Sequence, residues 1–207
     1  MPILAWTDAT STERLVHEAS FRHGLIAGVL LVERESERQK AITDSLTGLY
    51  NRRGFLDSAQ DSLQNALPTE RFVVLFADLD KFKDINDNHG HDTGDELLKS
   101  IGSCLQEAFR GNIVARFGGD EFTILYKIDS SEHAADVIQK VQVSCTESAL
   151  KVEHVTKDNF GMSIGHSEVH LAHDCNPLKV LTTMLLEADD AMYDIKKDRL
   201  SYVRRRP

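Results

Sequence analysis

The sequence predicts a mixed α/β (α+β) protein with an N-terminal helical extension and a ferredoxin-like core in the order β-α-β-β-α-β. Three observations lead to this fold class. Phe72 to Ala77 is a continuous apolar run, which is typical of a central strand buried on both faces. The apolar residues between Leu97 and Leu105 fall on one face of a helix. Gly118-Gly119 joins two strand-like segments in the manner of a tight hairpin.

The other elements follow from local signals along the chain. A helix begins near Arg52 and is closed by Pro68, because proline lacks the amide hydrogen that a helix interior needs. Asp92-Thr-Gly-Asp95 opens the helix that carries the apolar face, and His166 to Asp174 is interpreted as a polar loop. In chain order we predict helix 52–67, strand 72–77, a helix from 92, strands 112–117 and 121–127, helix 131–148, strand 160–165, helix 177–197 and a short strand near residue 202.

A separate helix is predicted ahead of this core. Thr10 to Glu13 has the form of a capping box, and few helix breakers follow it, so the helix is expected from about Thr12 to Ile42. Two interpretations stay open, a solvated helix with one packed stripe or a dimerising signalling helix. We therefore divide the chain into an extension, residues 1–42, and a main domain, residues 43–207. The shared face of a dimerising helix would contain Leu25, Val29 and Val32.

Composition excludes several classes of function. A formal net charge of -9 argues against broad nucleic-acid binding, although a nucleotide could bind with the help of a divalent metal and placed lysines. The three cysteines are widely spaced without a CxxC pair, which indicates reduced thiols in a cytoplasmic protein. The most apolar run, Gly24 to Val32, falls far short of the roughly 20 residues of a membrane span. No membrane span and no signal peptide are predicted.

Acidic residues are placed where two strands of the predicted sheet end. Asp78 lies at the end of the first strand, and Asp120 and Glu121 follow the hairpin glycines, so the three acids are expected to converge. Crowded carboxylates are costly unless a cation joins them, and oxygen ligands favour Mg²⁺ or Mn²⁺ over zinc. Two such ions would activate a hydroxyl and stabilise a leaving pyrophosphate. The alternative is that Asp78 and Asp80 merely end a strand and that the glycine pair is only a turn.

Several ordered motifs resemble those of one known family. RFGGDEF resembles the signature that names the GGDEF family, and it stands in a chain of further matches. DLDKFKDINDNHGHDTGDELL is similar to the family's DxDxFKxxND…GHxxGDxxL segment. The resemblance covers about residues 42 to 200. The matching segments are 44–53 (DSLTGLYNRR), 78–98, 116–122, 160–165 (FGMSIG) and 188–197 (ADDAMYDIKK).

The resemblance implies a fold related to nucleotidyl cyclase palms and a diguanylate cyclase, which converts two GTP into cyclic di-GMP and two pyrophosphates. By matching position it implies a metal site for Mg²⁺ or Mn²⁺ made of Asp78, the carbonyl of Leu79 and Asp120, with Glu121 as a further acid. Asp120 is also the family's candidate catalytic base. Asp80 is expected to bond backbone near the metal and not to bind the ion itself.

The resemblance also implies a substrate site. Asn86 and Asp95 match the positions that face guanine, whose edge offers N–H donors to a carboxylate and suits an amide. Lys83 matches the position that stabilises charge on the reacting phosphate. His91 matches another substrate position. The remaining substrate-binding positions are Phe82, Gly118, Gly119 and Lys196, the last at a terminal phosphate.

Each of these positions has a structural alternative. Asn86 and Asp95 would cap the turn and helix around them. His91 would hydrogen-bond within its loop. Lys83 would be a solvated lysine, and Phe82 would belong to the core and not stack on a ligand.

Two departures from the family pattern stand out. The family's inhibitory product site, RxxD, aligns with Phe109 and Asn112, so we expect product inhibition to be lost. Near the C-terminus the family usually reads KxxGRN after the position of Lys196, whereas this chain reads KKDRLS. Arg199 stands one residue before the missing arginine and is a candidate to replace it.

The sequence therefore predicts a metal-dependent cyclase that works as a homodimer, with one GTP in the half-site of each protomer. The alternative, favoured by KKDRLS, is a degenerate GTP-binding regulatory module without turnover. A pure dimerisation scaffold would leave the intact guanine set unexplained.

Overall fold

The computed structural model describes residues 39, 41–171 and 176–204, with side chains as far as residue 199. Ile42 opens the compact unit that contains the main domain. Gln39, Ala41 and Ile42 are helical, and the rest of the helix predicted from Thr12 lies outside the described residues. The elements are α1 (Arg52–Gln64), β1 (Arg71–Asp80), α2 (Phe82–His89), α3 (His91–Ala108), β2 (Ile113–Arg116), β3 (Glu121–Ile128), α4 (Ala134–Ala149), β4 (Gly161–His170) and α5 (Pro177–Arg204).

The described strands form one antiparallel sheet in the order β2-β3-β1-β4. This arrangement confirms the predicted β-α-β-β-α-β core, in which β1 lies in the middle of the sheet between β3 and β4. The apolar run therefore identified a strand that has hydrogen-bonded neighbours on both edges.

Both faces of the sheet are covered by helices, because alternate residues of β1 enter two different cores. Val73, Leu75, Ala77 and Leu79 pack with the buried residues of α2, α3 and α4. Phe72, Val74 and Phe76 pack with the buried residues of α1 and α5. All residues from Phe72 to Leu79 are buried. Burial on both sides explains why this strand is continuously apolar and does not alternate.

The ends of two strands differ from the prediction. β1 continues through Asp80, so Asp78 and Asp80 lie inside the strand and not just past it. β4 continues to His170, so the prediction of a polar loop was wrong for residues 166–170. In this part of β4 the buried Ser167 alternates with the exposed His166 and Glu168, which is the period of a strand with one solvated face.

The helices differ at three places. α2 was not predicted; it begins after Lys81, whose φ is 61°, and ends before Gly90, whose φ is 87°. α1 ends at Gln64, where the side chain of Asn65 donates to the carbonyl of Asp61 at 2.8 Å. The prediction of a short strand near residue 202 was wrong, because α5 continues to Arg204. Where the family has the glycine of KxxGRN, this chain has Arg199, so no glycine ends the helix there. Within the described ranges no helix is both long and apolar enough to cross a bilayer.

Candidate active site

The predicted acids meet where β1 approaches the hairpin between β2 and β3. Asp78 pairs with Glu121 across the β1–β3 ladder, and the amide of Leu79 donates to the carbonyl of Asp120 at 3.2 Å. The hairpin acids therefore lie beside the end of the central strand. Asp78 is buried, whereas Asp120 and Glu121 are half-buried.

The electrostatics of this cluster are those of crowded carboxylates. Burial raises the pKa of Asp78, and the charges of Asp120 and Asp80 raise it further, although the hydrogen bond from Lys196 acts in the opposite direction. Burial and the charges of Asp78 and Asp120 likewise raise the pKa of Glu121. Such shifts indicate that the cluster favours a bound cation or proton. In this conformation the described residues hold no three His, Cys, Asp or Glu side chains close enough to share one ion.

Lys196 brings a cation to this cluster from α5. Its Nζ donates to Asp78 Oδ1 at 2.5 Å. Burial alone would lower the pKa of Lys196, but the hydrogen bond and the charge of Asp78 raise it. The residue expected at a terminal phosphate thus contacts a predicted metal ligand in this structure.

Asp80 is held by side chains on β4 and α5. Ser163 Oγ donates to Asp80 Oδ1 at 2.7 Å, and Arg199 donates to Asp80 Oδ2 at 2.8 Å. Arg199 also donates to the carbonyl of Met162 at 2.8 Å. Asp80 was expected to bond backbone, and in this structure its two oxygens accept from a hydroxyl and a guanidinium. Arg199 joins α5 to β4 through these contacts.

The residues expected to face guanine lie on α2 and α3. Asn86 Oδ1 is buried, and the described residues offer it no hydrogen-bond partner. An ideal Cβ built at Gly94 would overlap Asn86 Oδ1 and would lie 3.2 Å from Cζ of Phe82. The absence of a side chain at Gly94 therefore makes room for the amide. Because a buried polar atom without a partner is costly, Asn86 Oδ1 is an unsatisfied acceptor among the described residues in this conformation.

The neighbouring candidates are more open to solvent. His91 and Asp95 are exposed on the first turns of α3, and Lys83 is exposed on α2. In the part of the chain that the structure describes, α3 begins after Gly90 with no side-chain cap. Phe82 packs against the core at the base of α2, which agrees with its structural alternative.

The glycine hairpin is held by a contact that the sequence did not predict. Arg116 donates from Nε and Nη2 to the carbonyl of Gly119 at 3.1 and 2.7 Å, and from Nη1 to Asp44 Oδ1 at 3.1 Å. Asp44 also accepts from the amide and hydroxyl of Thr47 at 2.9 and 2.7 Å. Burial would raise the pKa of Asp44, but the bonds from Thr47 and Arg116 outweigh it and lower the pKa. In the sequence, this contact could have been inferred only from the two motifs that contain its residues, DSLTGL with Asp44 and RFGGDEF with Arg116.

The two hairpin glycines differ in what surrounds them. A Cβ at Gly118 would lie 2.5 Å from Glu121 Oε2, whereas among the described residues nothing lies within 4 Å of a Cβ at Gly119. Gly118 thus allows Glu121 to fold back on the turn. A cleft of about 440 Å³ opens beside the turn and is lined by both glycines and by Arg52 and Arg53.

The positions of the family's product site have structural roles in this chain. Phe109 is buried at the end of α3, with its ring 5.6 Å from that of Tyr126 in an edge-to-face contact. Lys140 Nζ lies 4.9 Å from the centre of the Phe109 ring. Asn112 Oδ1 accepts from the amide of Lys127 at 3.1 Å. A core aromatic and a strand-end amide therefore occupy the places of the arginine and the carboxylate.

The fold and the site together define a class of protein. An antiparallel β2-β3-β1-β4 sheet, with acids at the end of its central strand and on the adjoining glycine hairpin, is the palm of the nucleotidyl cyclases. The chain belongs to the GGDEF family, since the family model described as "Diguanylate cyclase, GGDEF domain" matches residues 41–201.

Individual relatives agree with this assignment. Diguanylate cyclase DgcM of Escherichia coli (strain K12) is 32% identical over 157 residues, which are 75% of this chain and 36% of that protein. The GGDEF domain of TpbB (YfiN) from Pseudomonas aeruginosa is 32% identical, with a TM-score of 0.61 over 75% of this chain and 89% of that one. The coiled coil and GGDEF domain of DgcB from Caulobacter crescentus, solved with c-di-GMP, shares the fold at a TM-score of 0.71 and 24% identity, covering 91% and 95% of the two chains. The chain spans less than half the length of the curated relatives that it matches.

Proposed function

We propose that this chain is a diguanylate cyclase, which condenses two GTP into cyclic di-GMP and two pyrophosphates. The observation that carries the proposal is the meeting of Asp78, Asp120 and Glu121 beside the glycine hairpin, at the end of the central strand. Membership of the GGDEF family and similarity to a protein named diguanylate cyclase support it.

The donor chemistry of the acid cluster suits a divalent metal, although its side chains would have to move closer together to share one ion. Asp78, the carbonyl of Leu79, Asp120 and Glu121 offer only oxygen, which Mg²⁺ and Mn²⁺ prefer. The raised pKa values of Asp78 and Glu121 fit a cluster that a cation stabilises. The metal would polarise the reacting phosphate and activate the attacking hydroxyl. Asp120 is the residue that we propose as the base that accepts the proton of the 3′-hydroxyl.

The protein groups on α2 and α3 would select guanine. The buried Asn86 oxygen lacks a partner among the described residues and would accept from the base, and Asp95 would accept from the N1–H and N2–H₂ edge. Adenine lacks that donor pair, so ATP would leave these acceptors unpaired. Lys83, which is exposed on α2, would place its charge beside the reacting phosphate. His91, at the start of α3, would contribute to the same substrate site.

A single chain provides one set of these groups, which is half of what the product requires. Two protomers would face one another so that the 3′-hydroxyl of each GTP attacks the α-phosphate of the other. Catalysis would then consist mainly of positioning and of charge stabilisation. We therefore propose a homodimer as the active species, with turnover set by how often two half-sites meet.

One observation favours a second candidate, a GTP-binding regulatory module without turnover. Lys196 occupies Asp78 Oδ1, and the residues that follow Lys196 depart from KxxGRN. If this ion pair persists with GTP bound, Asp78 would not be free to hold metal.

Purified protein incubated with GTP and Mg²⁺, followed by chromatography of the nucleotides, distinguishes the two candidates. We expect cyclic di-GMP and pyrophosphate from the wild type and less than about a tenth of that rate from Asp120→Ala, because the variant lacks a proposed metal ligand and base. Asp61→Asn, at an exposed acid on α1, is the matched control and should keep the wild-type rate. GTP binding without product would establish the regulatory module. An Asp120→Ala variant that stays active would refute the role of this residue.

A further inference from the structure

Two of the three cysteines lie together between α3 and α4. Cys104 is on α3 and is half-buried, whereas Cys145 is on α4 and is fully buried in the core. Cys104 packs against the same core cluster that contains Cys145. Neither residue takes part in the proposed reaction, so their proximity needs a separate explanation.

A pair of serines shows how closely the two helices approach here. Ser100 Oγ donates to the carbonyl of Ser148 at 3.0 Å, and Ser148 Oγ donates to the carbonyl of Ser100 at 3.1 Å. The two hydroxyl oxygens lie 2.8 Å apart. Each serine side chain therefore reaches the backbone of the other helix directly, so the distance between the axes of α3 and α4 is short here.

The helical period places the cysteines one turn further along the same contact. Cys104 follows Ser100 by four residues on α3, and Cys145 precedes Ser148 by three residues on α4. In helices that run antiparallel, these offsets put the two side chains opposite one another. The two thiols are neighbours, since each shifts the pKa of the other.

The environment makes the two thiols unequal. The neighbouring Cys145 thiol and the charge of Lys151 lower the pKa of Cys104 to about 7, despite partial burial. The Cys104 thiol, together with burial, raises the pKa of Cys145. Cys104 is therefore the accessible thiolate, and Cys145 is the protonated partner beneath it.

We propose that Cys104 and Cys145 form a reversible redox site, at which a low-molecular-weight disulfide such as oxidised glutathione converts the two thiols into one disulfide bond between α3 and α4. The Cys104 thiolate attacks one sulfur of the reagent, forms a mixed disulfide and releases the first glutathione thiolate. Cys145 then attacks Cys104 Sγ, loses its proton and releases the second glutathione. Two electrons pass to the reagent, which becomes two thiols.

The crosslink would enclose the hairpin of the proposed active site. The segment between Cys104 and Cys145 contains β2, the Gly118-Gly119 turn and β3, and so both hairpin acids. A covalent loop restricts the unfolded chain, so the oxidised protein should unfold at a higher temperature than the reduced protein. Oxidation would thereby act on the stability of the element that carries Asp120 and Glu121.

The test uses the full chain with Cys175→Ser, so that only this pair can react. After folded protein is incubated with oxidised glutathione and then alkylated, we expect a mass lower by two hydrogens, no alkylated thiol and a peptide pair joined through Cys104 and Cys145. Dithiothreitol should reverse the change, and the oxidised sample should melt at a higher temperature. A chain that also carries Cys145→Ser should instead keep a glutathione adduct on Cys104.

Three results would overturn the proposal. They are a stable glutathione adduct on Cys104 while Cys145 is present, a crosslink between two chains, and a disulfide that forms only in urea. All three are read from the Cys175→Ser chain alone, so the conclusion does not depend on the folding of the second variant.

Discussion

Gly94 offers a sharp test of the proposed guanine site, because a methyl group there would act mainly on the side chain of Asn86. In Gly94→Ala the new Cβ would overlap Asn86 Oδ1 and crowd the ring edge of Phe82. The amide is the end of a rotatable side chain, so it can turn away at a cost of about 0.5–1.5 kcal/mol. Alanine stabilises a helix interior by about 1 kcal/mol relative to glycine, which offsets this cost. We therefore expect the free energy of unfolding to change by less than about 1 kcal/mol.

The effect on catalysis should be much larger than the effect on stability. A displaced Asn86 amide would lose its proposed contact with guanine, and one good base contact contributes about 1–3 kcal/mol. The value of kcat/KM for GTP should therefore fall by about 5- to 150-fold. Steady-state kinetics and urea denaturation of the same preparations measure the two quantities side by side.

A double-mutant cycle identifies the route of the effect. In an Asn86→Ala background the same change at Gly94 should cost little further activity, because the amide that it displaces is already gone. A full additional loss in that background would show that Gly94→Ala acts on something other than Asn86. An unchanged kcat/KM in the single variant would refute the guanine assignment of Asn86.

Four further predictions concern selectivity, regulation and stability. Asp95→Ser should relax the preference for GTP over ATP by about 1–3 kcal/mol, measured as a ratio of kcat/KM values, and an unchanged ratio would contradict its role. Added cyclic di-GMP at low micromolar concentration should not lower the rate of product formation in progress curves, because Phe109 replaces the arginine of the product site and so removes a charge-assisted contact. Strong inhibition would reveal another binding site for the product. Deleting residues 1–40 should lower specific activity most in dilute protein, and a deficit independent of concentration would separate this segment from dimerisation. Asp44→Asn should lower the free energy of unfolding at neutral pH, because it weakens the contact with Arg116. Since the folded-state pKa of Asp44 is lowered, the difference between variant and wild type should shrink as the pH falls below about 4. Urea denaturation across that pH range measures the difference, and a constant value would show that the charge is irrelevant.

The sheet and the acid cluster were predictable because their signals are local. An apolar run of strand length identified β1, and a glycine pair between two strand-like segments identified the hairpin. Once β1 and β3 are neighbours, Asp78 and Glu121 come together through register alone.

Other features depend on contacts that no local pattern records. α2 has eight residues, of which only Ile85 is buried, so it lacks the repeated apolar spacing that identifies longer helices. Asp44 and Arg116 stand 72 positions apart, and Lys196 stands 118 positions from Asp78. These pairs depend on the packing of whole elements, which motif spacing does not determine.

The central position of β1 has a consequence for control of the proposed enzyme. This strand hydrogen-bonds on both edges and contributes alternate side chains to the cores on both faces, so a shift of Asp78 along the strand would disturb both layers at once. Close-packed layers resist such graded movement. A signal that alters turnover is therefore expected to leave each half-site as it is and to change the geometry in which two of them meet.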